Sequence, residues 1–203
     1  MKALLIAGGT LGNSEKLKAL AKACDVIICA DHGYDYAARL GIVPDILIGD
    51  MDSIECGGAD IEKYVYPAHK DYTDSELIMD YAAKKGYDEL YLFGFTGTRI
   101  DHTLANLSFL CRYDTLDAVI IDDFNEIRAA KRENIIRGKK GDLISVIPLG
   151  GNLEGVTTEN LEYALSDGTI SFGTSLGVSN VMTADICRVS IRSGSGLIIK
   201  STD

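Results

Sequence analysis

The apolar positions of this chain follow two different rhythms. Up to about residue 121, short runs of consecutive apolar residues, over 2–7, 26–30, 46–48, 88–95 and 116–121, alternate with longer stretches of helical spacing. Consecutive apolar positions predict strands covered on both faces, as in a parallel sheet. Between them, 14–24 places Leu17, Leu20 and Ala21 on one helical face, and 36–40 continues as a helix stopped by Gly41. Thr73-x-x-Glu76 reads as a capping box, opening a helix with Leu77, Ile78 and Tyr81 as its buried face and Gly86 as its stop. A last helix is predicted over 102–112, with Asp101 as a candidate N-cap, and 64–66 reads as a short strand. Alternating strands and helices predict an α/β layer structure.

After Asp122-Asp123 the rhythm changes. The runs 126–130, 134–137, 143–148, 164–165, 169–172, 185–191 and 197–200 are short and β-like, separated by turn signals such as Gly150-Gly151, Asp167-Gly168 and Ser193-Gly194-Ser195-Gly196. Short strands with glycine turns and no helical pattern predict a sandwich or barrel. The expected fold class is therefore α/β: a mostly parallel, Rossmann-like domain over 1–123, followed by an all-β sandwich domain over 124–203.

Composition narrows the function. A formal charge of −10 offers no basic stripe to neutralise phosphates, which argues against a nucleic-acid partner. No run is long enough for a signal peptide or a membrane span, so the expectation is a cytoplasmic protein without a membrane partner. The five cysteines are scattered and lack metal-site spacing, and Cys29 sits inside an apolar run as a core residue.

The chemistry gathers where strands end. Gly49-Asp50-Met51-Asp52-Ser53 closes an apolar run with two carboxylates two residues apart, which an extended backbone points the same way. Carboxylates forced together repel unless a cation sits between them, and magnesium takes one or two such ligands plus substrate phosphates. A solvated acidic turn is the plain alternative. Asp31 follows the second strand, Asp71 precedes the capping box and Asp74 sits within it in the first helical turn, and Gly97-Thr98-Arg99-Ile100-Asp101-His102 follows the 88–95 strand. Asp74 stands equally to stabilise a helix N-terminus, and Arg99 is suited to bidentate grip on phosphate oxygens. In a parallel sheet these strand ends converge on one edge, where metal and polyphosphate are held together for phosphoryl or diphosphoryl transfer. Gly8-Gly9-Thr10-Leu11-Gly12 suits a strand-to-helix ligand loop, although its spacing is not the dinucleotide fingerprint.

Asp31-His32-Gly33, residues 44–53, Lys70-Asp71-Tyr72-Thr73-Asp74 and residues 97–102, in this order, resemble the thiamine pyrophosphokinase family, as does the β half with Ser179-Asn180. The resemblance implies transfer of diphosphate from ATP to the hydroxyl of thiamine, with Mg2+. It also implies a homodimer whose thiamine sites are shared between the α/β domain of one chain and the sandwich of the other. It assigns Asp50, Asp52 and Asp74 to magnesium and the ATP phosphates, with Asp31 in support. Lys70 and Arg99 balance phosphate charge, and Asp101 orients Arg99 or touches substrate. Ser175, Ser179 and Asn180 contact the thiamine pyrimidine.

The sequence departs from the family at two points. His32 stands where the family commonly has a second glycine, and the chain has no tryptophan to stack on thiamine, which leaves Phe172 as the candidate aromatic. How the hydroxyl loses its proton stays open between a carboxylate base such as Asp71 and metal activation of the hydroxyl as an alkoxide. A diphosphokinase for a pterin alcohol and a nucleotide-binding module without turnover are the alternatives.

Overall fold

The structure is a computed structural model describing residues 1–50, 61–67 and 71–202 of the chain. It divides into two compact units, Met1–Phe109 with Thr115–Asp123, and Leu110–Asp114 with Phe124–Asp203.

In the first unit the consecutive apolar runs become strands β1 (Lys2–Ile6), β2 (Val26–Ala30), β3 (Ile46–Gly49), β5 (Glu89–Phe93) and β6 (Asp117–Ile121), joined by the more polar β4 (Glu62–Val65). Among the described residues they form one parallel sheet in the order β6-β5-β1-β2-β3-β4. β2 is buried along its whole length, as a strand covered on both faces must be. Helices α1 (Ser14–Ala23), α2 (Asp31–Arg39), α3 (Asp74–Lys85) and α4 (Ile100–Leu110) fill the connections, and a short 3-10 turn, Cys111–Tyr113, follows α4. Leu4, Ile6, Leu47 and Phe93 from the sheet and Leu17 from α1 share one core.

Local chemistry sets the helix ends. Asn13 caps α1, its Oδ1 accepting from Lys16 N–H at 2.9 Å. Thr73 Oγ1 accepts from Glu76 N–H at 3.2 Å, which is one half of the expected capping box. Gly86 ends α3 in the left-handed region (φ 79°), and the N–H groups of Gly86 and Tyr87 turn back onto Ala83 O and Ala82 O.

Three expectations need correction here. α2 starts at Asp31, five residues before the predicted 36, because Gly33 brings the first turn onto the end of β1, where a Cβ would lie 2.0 Å from Ile6 O. Asp101 lies inside the first turn of α4 and is not its N-cap; Thr103 N–H bonds back to Arg99 O at 3.1 Å. Tyr81 is half-buried and packs against Tyr64 with ring centroids 4.8 Å apart, outside the main core.

The second unit has two antiparallel sheets. One contains β7 (Asn125–Ala129), β9 (Leu143–Pro148), β12 (Asn180–Val181) and β14 (Gly196–Ser201); the other contains β8 (Glu133–Arg137), β10 (Leu153–Glu159), β11 (Gly168–Ile170) and β13 (Ile186–Ser190). Ile144, Val146 and Ile198 from the first share a core with Val156, Ile170, Cys187 and Val189 from the second. The expected strand at 164–165 is a loop, and β10 is absent from the sequence reading. A bulge between Leu153 and Val156, at Gly155 (φ 64°), breaks the two-residue alternation that would have marked β10.

Candidate active site

In the first unit the chain runs outward from β1 through β2 and β3 to β4, then returns to β5 on the other side of β1. That reversal opens a crevice at the carboxyl ends of β1 and β5, the place where open α/β sheets receive ligands.

Two glycine-containing loops build the crevice. The loop after β1 and the loop after β5 are zipped backbone to backbone: Ala7 N–H donates to Phe93 O, Gly9 N–H to Gly94 O and Thr10 N–H to Thr96 O, each at 2.8 Å. This approach requires glycine at position 9, where a Cβ would meet Thr96 O at 2.2 Å and Gly94 O at 2.4 Å. Thr96 Oγ1 is 3.2 Å from Asp122 Oδ2 at the end of β6, and Asp123 Oδ1 accepts from Asn13 N–H at 2.6 Å. The acidic pair that marked the change of rhythm therefore fastens these loops.

A cavity of about 920 Å³ lies over them. The β1 and β5 loops form one side, with Asp50 after β3, His32 in the first turn of α2, and Tyr72 to Ser75 at the head of α3. Of the sequence-predicted residues it brings together Asp50, Asp74 and Arg99, and its volume suits a small-molecule ligand. The N-terminus of α3, at Asp74, opens onto the cavity, a position that favours an anionic group.

Arg99 and Asp101 form a two-point pair, Nε to Oδ1 at 3.2 Å and Nη2 to Oδ2 at 2.5 Å. The Arg99 guanidinium holds the Asp101 carboxyl down at about 2, and the Asp101 carboxylate raises Arg99 in turn. Asp101 is therefore an anion that orients Arg99.

Other expected residues stand elsewhere. Asp71 is exposed and does not line the cavity. Asp31 opens α2 directly after β2. Asp52 and Lys70 lie outside the described residues, and with them half of the Asp50/Asp52 pair. Among the described residues no group of three or more His, Cys, Asp or Glu gathers around one metal position.

In the second unit, Ser179 holds a left-handed backbone (φ 56°), and its N–H donates to Ser145 Oγ at 3.0 Å. The Asn180 amide is committed to the neighbouring loop: Oδ1 accepts from Tyr163 N–H and Nδ2 donates to Tyr163 O at 2.7 Å. Ser175 is exposed, its carbonyl accepting from Val178 N–H, and Phe172 is exposed as well.

Sequence reasoning missed Thr103 and Asn106 of α4, which line the cavity beside His102. The signal was there: they are two polar residues three apart, about one helical turn, which places them on one face of the helix.

The fold and site define an α/β protein with a ligand-sized cleft at the switch point of its sheet, linked in sequence to a β unit. Residues 17–122 match the family model for the thiamin pyrophosphokinase catalytic domain, and residues 125–198 match that for the vitamin B1 binding domain of the same enzyme. A thiamine pyrophosphokinase from Bacillus subtilis is 31% identical, covering 98% of both chains. Thiamine pyrophosphokinase 2 of Arabidopsis thaliana is 27% identical over 82% of this chain and 68% of its own. Among solved structures, thiamine pyrophosphokinase from Bacillus subtilis superposes with a TM-score of 0.87 at 29% identity, covering all of both chains. That from Geobacillus thermodenitrificans also gives 0.87, at 25% identity over all of this chain and 98% of its own. The chain belongs to the thiamine pyrophosphokinase family of enzymes.

Proposed function

We propose that this protein transfers a diphosphate from ATP to the hydroxyl of thiamine, giving thiamine diphosphate and AMP. The observation that carries the reading is the cavity at the β1/β5 switch point, where Asp50, Asp74 and Arg99 face one space in a chain of this family. The thiamine hydroxyl oxygen attacks the β-phosphorus of ATP, and the bond from that phosphorus to the α,β-bridging oxygen breaks. AMP leaves with the bridging oxygen, and the hydroxyl proton passes to a base other than Asp71, which is exposed outside the cavity lining.

The donor set suits magnesium, since hard carboxylate oxygens from Asp50 and Asp74, with Asp52 close to Asp50 in sequence, leave positions for phosphate oxygens and water. When bound, the ion supplies charge neutralisation across the diphosphate. Arg99, steadied by Asp101, grips phosphate oxygens, and the residues of the β1 and β5 loops line the same wall. Asp31 and Lys70 complete the phosphate surroundings in this reading. We read the first unit as Rossmann-like and the second as a β-sandwich that takes the thiamine ring. Ser175 and Ser179 touch the pyrimidine, and Asn180 shapes the Tyr163 loop beside them.

A homodimer with shared sites completes the reading. Apolar side chains left in solvent support it: Ile100 and Leu104 on one face of α4, and Tyr163, Phe172, Leu176 and Val178 in the second unit.

Product analysis with ATP, magnesium and thiamine tests the reaction. AMP and thiamine diphosphate in equal amounts are expected. ADP with thiamine monophosphate would mean a simple kinase, and turnover only with a pterin alcohol would move the acceptor.

A further inference from the structure

Asn106 is 3% exposed, on a helix whose Leu104, two residues away, is 57% exposed. Burying an amide while leaving a leucine in water inverts the usual order of an amphipathic helix. The amide is also only half satisfied. Its Nδ2 donates to Phe95 O at 2.6 Å, and its Oδ1 has no hydrogen-bond partner. The assignment of the two ends is forced, because the atom facing a carbonyl oxygen must be the donor. An orphaned buried oxygen is costly to keep, so a packing role alone does not account for an amide here.

What the amide holds is the β5 loop. Phe95 begins the segment that continues through Thr96 to Arg99 along the cavity wall. One turn earlier on the same helix, Thr103 Oγ1 accepts from Gly97 N–H at 3.1 Å, and its own proton lies within reach of Arg99 O at 3.3 Å or Gly97 O at 3.4 Å. The two side chains fasten the loop at its start and its middle, while Gly94 and Thr96 are fastened to the β1 loop by backbone bonds. Gly97 is pressed against Thr10, where an added Cβ would come within 3.0 Å of Thr10 N. The loop is thus clamped from both sides, and Arg99 emerges from the clamped segment.

From this we infer that Thr103 and Asn106 are positioning residues for ATP: they fix the β5 loop, and through it Arg99, in the conformation that receives the nucleotide phosphates. The inference rests on the diphosphokinase reading for the identity of the anion. It predicts selectivity, because the clamp acts on the nucleotide side of the reaction and leaves thiamine affinity alone.

The test uses the full chain with four substitutions. Thr103→Val keeps the shape and removes the hydroxyl, Thr103→Ser restores it, Asn106→Asp replaces the N–H donor by a carboxylate oxygen facing Phe95 O, and Asn106→Leu removes the amide. Two quantities are read: kcat/KM for ATP beside KM for thiamine, and the Kd of an ATP analogue with an uncleavable α,β-methylene bridge. Thr103→Val, Asn106→Asp and Asn106→Leu are expected to lose about tenfold in kcat/KM for ATP and in analogue affinity, with thiamine KM within about twofold. Thr103→Ser is expected to stay within about threefold of wild type.

Wild-type values in Thr103→Val would overturn the inference, as would equal losses for ATP and thiamine or a Ser variant no better than Val. The Thr103 pair decides the matter even where an Asn106 variant fails to fold. Wild type that binds the analogue and makes no AMP would sink the reaction and leave the clamp to be judged on affinity.

Discussion

Asp101 shows what one ion pair contributes at the residue scale. Its carboxyl is held at about 2 by the Arg99 guanidinium, below its ordinary 3.8. A depressed carboxylate lends its pairing in full above the ordinary value and loses it as the pH falls through the lowered one. Carbon NMR of the Asp101 carboxyl is therefore expected to show no proton uptake between pH 7 and pH 4, with titration returning toward 3.8 in Arg99→Gln. Asp50, which lines the cavity, is proposed to take part in the chemistry itself. Asp50→Asn keeps the side-chain shape and removes the charge, and a loss of about 3 kcal/mol in the transition state, about a hundredfold in kcat, is expected. Near-normal turnover at saturating magnesium would remove Asp50 from the metal set.

At the scale of elements, the site depends on how loops and helix ends are held. The head of α3 lines the cavity, and Thr73 caps it. Thr73→Ala is expected to cost about 1 kcal/mol in urea unfolding. The β1 and β5 loops tolerate less. Gly9→Ala would drive a methyl into two carbonyl oxygens at 2.2 and 2.4 Å and is expected to cost about 1–3 kcal/mol together with activity. Gly151→Ala is the control: nothing lies within 4 Å of its Cβ position, and little change is expected. The limits of the sequence reading also appear here. Capping chemistry is local, so Asn13, Thr73 and Gly86 act where their residue types suggest. The early start of α2 and the bulged β10 were hidden, because Gly33 and Gly155 usually signal a break and only packing partners explain them.

For the whole molecule, the proposed dimer is the open quantity. Sedimentation velocity is expected to give twice the chain mass at micromolar concentration, and Ile100→Glu with Leu104→Glu is expected to shift it toward monomer. A strictly monomeric protein with full activity would contradict the shared-site reading.

The sequence by itself determined the alternation of buried strands and helices, the later change to short strands, and the carboxylates and arginine placed at strand ends. Those are properties of periodicity and of neighbouring residues, which a linear chain displays directly. The family motifs were equally legible, being contiguous. Tertiary structure was needed to bring the loops after β1 and β5 together and to fasten them through Asp122 and Asp123. It alone revealed that the Asn180 amide is spent on Tyr163 and that Thr103 and Asn106 reach back to Gly97 and Phe95. The physical reason is common to these cases. A hydrogen bond between distant residues depends on the relative placement of two elements, and no residue type or spacing along the chain encodes that placement locally.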